Sequence, residues 1–239
     1  MKEGANVYSR RWFEFFHANI DQARTSREAD FVCACAPVTE FPRILDAWCG
    51  MGRHARELSR RGYKITGIDR DPGAIAKARE LGGGPNYVVA DIREYQFTLH
   101  AFDAAIVMGQ SFGHFDAATN RDILFRLASS IPKRASILLD LWNPEFFKAH
   151  QGQRDLETSR GIVREIKRFE DSRLFVQLTY PDEIQEKFEW QLFTPEQMEQ
   201  SAKAVGLRLV TSCSGFDAKN LPSPGDSRIQ FVLQRKANE

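Results

Sequence analysis

The chain has 239 residues, with 33 lysines and arginines against 32 aspartates and glutamates, for a formal net charge of +1. That balance exerts no general pull toward nucleic acid or an anionic membrane and favours small or neutral partners. No apolar run approaches the roughly 20 residues that span a bilayer, and the amino end is polar rather than signal-like, so a cytoplasmic protein is expected.

The first segment, residues 1–42, reads as a helical appendage. Tyr8, Trp12, Phe13 and Phe16 crowd its start, and Thr25-Ser-Arg-Glu28 has the spacing of a capping box opening a helix that runs through Ala34. Phe13 and Phe16 read as staples to the domain, Tyr8 and Trp12 as a lid over a ligand. Cys33, Cys35, Cys49 and Cys213 lack the spacing of a disulfide framework or zinc ribbon. No histidine and carboxylate cluster accompanies them, and no catalytic metal is expected.

Arg43 to Trp48 form a buried-strand pattern that breaks into Cys49-Gly50-Met51-Gly52 and opens a helix at Arg53. Glycines let the backbone approach a ligand, and the helix start offers unpaired N–H groups. Gly50-x-Gly52-x-x-Ala55 also satisfies a dinucleotide pattern, so the turn alone admits two cofactor classes. Asp46, four residues before Gly50, tilts the choice. A second strand, Tyr63 to Asp69, ends in a carboxylate able to accept from ribose hydroxyls. A third run ends in Asp91-Ile92, suited to an adenine amino group and ring. The fourth ends at Gly109, followed by Gln110-Ser-Phe-Gly-His114-Phe115. Taken singly, Asp46 could cap a helix and Asp91 a turn before Arg93; three acids at successive strand ends argue against that.

Beyond a fifth strand, Ala135 to Leu141, the pattern changes. After Trp142-Asn143-Pro144 and a short helix near Glu145–Ala149, three amphipathic strands follow at 161–169, 173–180 and 185–193, as in a half-exposed antiparallel sheet. Arg164, Arg168 and Arg173 read as its solvated face. Thr194-Pro195 starts a helix that Gly206 ends. Two strands, about Arg208–Gly215 and Arg228–Arg235, finish the chain.

The four stations at Asp46–His54, Asp69, Asp91–Ile92 and Asp103–Gly109 resemble the class I S-adenosylmethionine-dependent methyltransferases, from Arg43 to the C-terminus. The resemblance implies an α/β fold: a seven-stranded, mostly parallel Rossmann-like sheet with an antiparallel C-terminal strand, plus a small antiparallel β insertion. Residues 43–150 would form the cofactor-binding core, 151–193 the insertion, acting as substrate lid or dimer surface, and 194–239 the helix and hairpin completing the core. It also implies S-adenosylmethionine as cofactor. Asp46, Gly50 and Gly52 would hold its methionine part, Asp69 its ribose, and Asp91 and Ile92 its adenine; Ala47, Trp48, Arg53, Arg70, Gly109 and Gln110 are further candidates for cofactor contact. Trp48 departs from the family pattern, standing where a glycine is usual. Arg53 and His54, cations at a helix start, point to an anionic neighbour such as the methionine carboxylate.

Methyl transfer from a sulfonium chiefly needs an aligned acceptor shielded from water. His114 is the best-placed titratable group to contact the acceptor and serve as base; Tyr8, Trp12, Trp142 and Asn143 join it as acceptor-pocket candidates. Gln110, Trp142 and Asn143 read equally well as loop anchors. The expected activity is methylation of O, N or C on a small molecule, with a homodimer compatible with the insertion. Alternatives are a tRNA or RNA nucleoside methyltransferase, if Arg10, Arg11, Arg53, Arg56, Arg60 and Arg61 cluster in space, a nicotinamide-dependent oxidoreductase, and a non-catalytic S-adenosylmethionine-binding protein.

Overall fold

The computed structural model describes residue 6, residues 8–17 and residues 21–236. Five parallel strands, β1 (Arg43–Ala47), β2 (Lys64–Asp69), β3 (Asn86–Val89), β4 (Ala104–Val107) and β5 (Ser136–Trp142), form one sheet with β10 (Leu207–Cys213) and β11 (Arg228–Arg235). The order is β10-β11-β5-β4-β1-β2-β3, and β11 runs antiparallel to both of its neighbours. This is the seven-stranded arrangement expected, and the antiparallel β11 sets it apart from a dinucleotide fold.

Continuous apolar strands need cover on both faces. On one face α2 (Gln22–Cys35), α3 (Arg53–Arg60) and α4 (Pro72–Glu80) bury Val32, Leu58 and Ile75 against Ile44, Ile65 and Ile106. On the other, α5 (Ala117–Ser130) and α7 (Pro195–Ala204) bury Leu124, Leu127 and Met198 against Leu45, Val107 and Leu139. The start of α7 is as expected: the Thr194 hydroxyl accepts from Gln197 N at 3.3 Å, and Thr194 N donates to Gln197 Oε1 at 3.0 Å. By contrast, α2 begins earlier than its Thr25–Glu28 spacing predicts. Asp21 caps it, accepting from Arg24 N at 2.6 Å, and Thr25 lies inside the helix with its hydroxyl donating to the Asp21 carbonyl.

The insertion has four strands where three are expected: β6 (Gly152–Thr158), β7 (Gly161–Glu170), β8 (Arg173–Thr179) and β9 (Gln185–Gln191), antiparallel throughout. Leu156 is the lone large apolar residue of β6, so no alternation betrays this edge strand. Its inner face carries Val163, Leu174, Val176, Phe188 and Trp190, and packs on Phe15 and on Phe147 of α6 (Pro144–Ala149). On β7 the polarity is partly inverted. Glu165 and Lys167 face inward as an ion pair at 2.8 Å, with the ammonium 5.1 Å from the Phe147 ring centroid, while Ile162 and Ile166 are exposed. Arg164 and Arg168 lie on the solvated face, as expected.

Candidate active site

β1 is central, paired with β2 and β4, so its carboxyl end opens into the middle of the sheet edge where ligands bind in open α/β sheets. There the chain turns through left-handed conformations at Trp48 (φ 58°), Gly50 (φ 53°) and Gly52 (φ 72°). The two glycines serve different ends. A Cβ at Gly52 would overlap the Tyr87 hydroxyl, so that glycine makes room for the protein's own core; a Cβ at Gly50 would meet nothing within 4 Å, leaving its backbone open to a ligand. Trp48 adopts the glycine-favouring conformation without being glycine, its side chain packed against the core.

Asp46 lies beneath this turn at 2% exposure, and its Oδ2 has no hydrogen-bond partner. Burial pushes its carboxyl up to about 7; the nearby Arg53 charge opposes that shift and Asp69 adds to it. A backbone hydrogen bond from Ala55 reaches this carboxyl as well; a buried carboxyl oxygen left without a partner at an open glycine turn fits a ligand carrying an ammonium group. Asp69, at the end of β2, accepts from Gly50 N at 2.9 Å and from Asp71 N at 2.9 Å, so it also braces the turn. Burial raises its pKa. Its free lone pairs remain available to hydroxyl donors. Asp91 is held by Arg93, through the backbone N at 2.9 Å, Nε at 3.0 Å and Nη2 at 2.6 Å. Its carboxyl is thereby held below the usual range. The turn-cap role before Arg93 is therefore real, and Ile92 beside it is buried.

Arg53 and His54 have their anionic neighbour, and it is Glu28 of α2. The buried Glu28 carboxylate takes the Arg53 guanidinium and His54 Nε2, the latter at 2.7 Å. Burial pushes the Glu28 carboxyl up, but these partners outweigh it and hold it low. Burial lowers the His54 pKa, so the balancing charge comes from arginine.

Several pocket candidates are also structural. Gln110 accepts from Trp142 N and donates to the Phe112 carbonyl at 3.1 Å. Asn143 caps α6 and donates to the carbonyls of Ser223 and Asp226, each at 2.8 Å. Asp140 of β5, which sequence reading missed, accepts from Gly109 N at 3.2 Å and is locked by Arg228 and Gln230. An acid within the apolar run Ile137 to Leu141 was the available signal.

Tyr8, Trp12, Trp142 and His114 come together with Phe188 and Trp190 of β9. Tyr8 stacks on Phe188 at 5.1 Å, lies edge-on to Trp12 at 4.6 Å and meets His114 at 5.9 Å; Trp142 packs on Trp190 at 4.7 Å. His114 is 6% exposed and its Nδ1 has no partner. Burial, then the charge of Arg70, depress its pKa to about 3, so the imidazole is neutral. Asn6 ties the group together, and nothing in the sequence marked it: its side chain donates to the His114 carbonyl at 3.0 Å, and its own carbonyl accepts from Arg70 at 2.7 Å.

The arginines of the nucleic-acid alternative are largely spoken for. Arg11 pairs with Asp182, Arg53 with Glu28, Arg60 with Glu57 and Arg61 with Asp30, while Arg56 donates to the Met51 carbonyl; the Arg10 side chain lies outside the described residues. Among the described residues no helix is long and apolar enough to cross a membrane.

The methyltransferase domain family matches residues 44–132. A malonyl-[acyl-carrier protein] O-methyltransferase of Enterobacter lignolyticus is 35% identical over 77 residues, 32% of this chain and 31% of that protein. The chain thus spans about a third of the length of that curated relative. A solved S-adenosylmethionine-dependent methyltransferase from Clostridium acetobutylicum superposes with a TM-score of 0.77 at 16% identity, covering 95% of this chain and 97% of the other. An amino pentose methyltransferase from Micromonospora echinaspora, solved with S-adenosylmethionine bound, gives a TM-score of 0.70 at 16% identity over 97% and 99% of the two chains. Over residues 44–132 the chain is similar to the methyltransferase domain family, and its fold is the one these solved methyltransferases share.

Proposed function

We propose that the protein transfers a methyl group from S-adenosylmethionine to oxygen, nitrogen or carbon of a small-molecule acceptor. The observation that carries this reading is the unpartnered Oδ2 of the buried Asp46 carboxyl beneath the open turn at Gly50, with Asp69 and Asp91 following at the next two strand ends. Asp46 and the backbone from Ala47 to Gly52 would hold the methionine part, Asp69 and Arg70 the ribose, and Asp91 and Ile92 the adenine, with Gly109 bordering the site. When bound, the cofactor supplies a methyl already activated on a sulfonium.

The protein's remaining task is to align the acceptor and exclude water. Tyr8, Trp12, Trp142, Phe188 and Trp190 form an apolar wall suited to exclusion. We assign His114 to contact the acceptor. Its neutral form can hydrogen-bond an acceptor, whereas the burial that keeps it neutral disfavours imidazolium, so orienting the acceptor suits it better than storing its proton. The insertion reads as a lid, because its aromatic face meets Tyr8 and His114. A cytoplasmic location belongs to the same reading, and the outer face bearing Ile162 and Ile166 is where a second copy would dock.

Calorimetry with S-adenosylmethionine against NAD tests the cofactor. A screen for S-adenosylhomocysteine formation across metabolite pools and tRNA tests the acceptor. Binding of NAD alone, or turnover with tRNA but no metabolite, would overturn the reading.

A further inference from the structure

A cluster of buried charge lies between α2 and α3. Glu28, fully buried, accepts from Arg24 Nε at 2.9 Å and from His54 Nε2 at 2.7 Å, and takes the Arg53 guanidinium, which also reaches the Thr25 hydroxyl at 3.2 Å. Arg53 and His54 are the first two residues of α3, directly after Gly52. The Arg53 cation there opposes the helix dipole, so this turn needs a carboxylate from elsewhere in the fold. Glu28 supplies it.

Arg53 is also the cation whose charge reaches Asp46. A buried guanidinium and a buried carboxylate attract; here Asp46 Oδ2 has no partner while Arg53 is paired with Glu28. The groups that face Asp46 are Arg53 and Asp69, with Cys49 and Tyr87 feeling its charge; those that face Glu28 are Arg24, Arg53 and His54, the last also feeling Asp140.

We propose that Glu28 is a positioning residue for the cofactor site: by holding the Arg53 guanidinium, it keeps Asp46 open to the ammonium group of the ligand. The inference rests on the reading of Asp46 as the partner of the S-adenosylmethionine ammonium. With Glu28 neutral, Arg53 turns to Asp46 and competes with the ligand from within.

The test is calorimetric titration of S-adenosylmethionine into the full chain across pH, with melting temperatures recorded alongside. Glu28→Gln lowers affinity about tenfold and moves the pH midpoint of binding down by about one unit, because a closer cation favours the Asp46 carboxylate. Glu28→Gln combined with Arg53→Gln recovers affinity to within about threefold of wild type, since competitor and counter-charge are then both gone. A merely structural Glu28 would leave the double variant no better than the single one, and that result overturns the proposal, as does wild-type affinity in Glu28→Gln. If Glu28→Gln does not fold, Glu28→Asp, which keeps the charge but withdraws it by one methylene, shows the same downward pH shift with a smaller loss; an unshifted midpoint overturns the proposal. Failure of the wild-type chain to bind S-adenosylmethionine would overturn the cofactor reading instead.

Discussion

The Asn6 side chain closes both backbone hydrogen bonds of Glu189: its Oδ1 accepts from Glu189 N at 2.7 Å and its Nδ2 donates to Glu189 O at 2.7 Å. One amide thus stands in for a neighbouring strand at the free edge of β9. The contact fixes the start of the aromatic segment, so Tyr8 meets Phe188 and His114 in a set arrangement. Asn6→Ala leaves the Glu189 N–H and carbonyl without these partners; Glu189 is part-buried, so the cost falls below the roughly 1–3 kcal/mol of a fully buried group. The expected outcome is faster amide exchange at Glu189 and over residues 8–17, with little change in the parallel sheet. Unchanged protection there would show that Tyr8 and Trp12 hold the segment without Asn6.

Asp46 trades stability for binding. Its pKa is about 7 in the folded chain and about 3.9 when unfolded. Between those values the folded chain holds a proton that the unfolded chain has released, so stability falls as pH rises from about 4 to 7. Asp46→Asn removes that loss. Its melting temperature should exceed that of wild type above about pH 7, by roughly 2–4 °C for each kcal/mol recovered, and match it below about pH 4. The same variant should bind S-adenosylmethionine at least tenfold more weakly, the loss of a charge-assisted contact. A variant no more stable at pH 8 would mean that the buried carboxylate carries no cost.

On the proposed reading of Asp46, the same carboxyl sets the pH range of cofactor binding in the wild-type chain. Affinity should climb through about pH 7 as Asp46 ionises and decline above about pH 8 as an α-amino group loses its proton. Calorimetry at closely spaced pH values checks the rise, and a flat profile from pH 5 to 8 would remove Asp46 from contact with the ammonium.

His114 should be silent where histidines usually titrate. With its pKa depressed to about 3, the rate profile has no inflection from this residue between about pH 5 and 8. Its stability contribution is present in full above about 6.5 and is lost as pH falls toward 3. His114→Ala should lower kcat, and His114→Gln, which restores a hydrogen-bonding group without basicity, should recover most of the loss. A fall of about 10² or more that glutamine leaves uncorrected would assign His114 as a proton acceptor.

The parts of the candidate site written locally are legible in the sequence. Asp46, Asp69 and Asp91 each end an apolar run, and the glycines sit at fixed offsets from the first, so spacing alone places them on one edge of a parallel sheet. What was hidden depends on pairs distant along the chain. Glu28 reads as a capping-box member because Thr25 lies three residues before it, yet its partners are on α3. Asn143 and Gln110 read in sequence as pocket residues or as loop anchors, and their anchoring partners, the loop at Ser223–Asp226 and the Trp142 amide, lie far along the chain. The fourth insertion strand was invisible because Gly152–Thr158 is an exposed edge with scant apolar content, and β-structure at an edge is set by its neighbour more than by its own residues.

Trp48 is where this chain departs from the methyltransferase pattern that it resembles, and its backbone explains what the departure entails. At φ 58° a side chain carries a local strain of about 1 kcal/mol that glycine escapes. Against this, the indole packs on the core cluster holding Leu45 and Ile92. Truncation to alanine loses the packing and keeps the strain, whereas glycine loses the packing and removes the strain. Trp48→Gly should therefore be more stable than Trp48→Ala by about 1 kcal/mol, even though glycine is the more costly residue in most settings. Denaturant midpoints for the two variants decide it. The reverse order would mean that the left-handed turn belongs to the indole's packing and relaxes once the indole is gone.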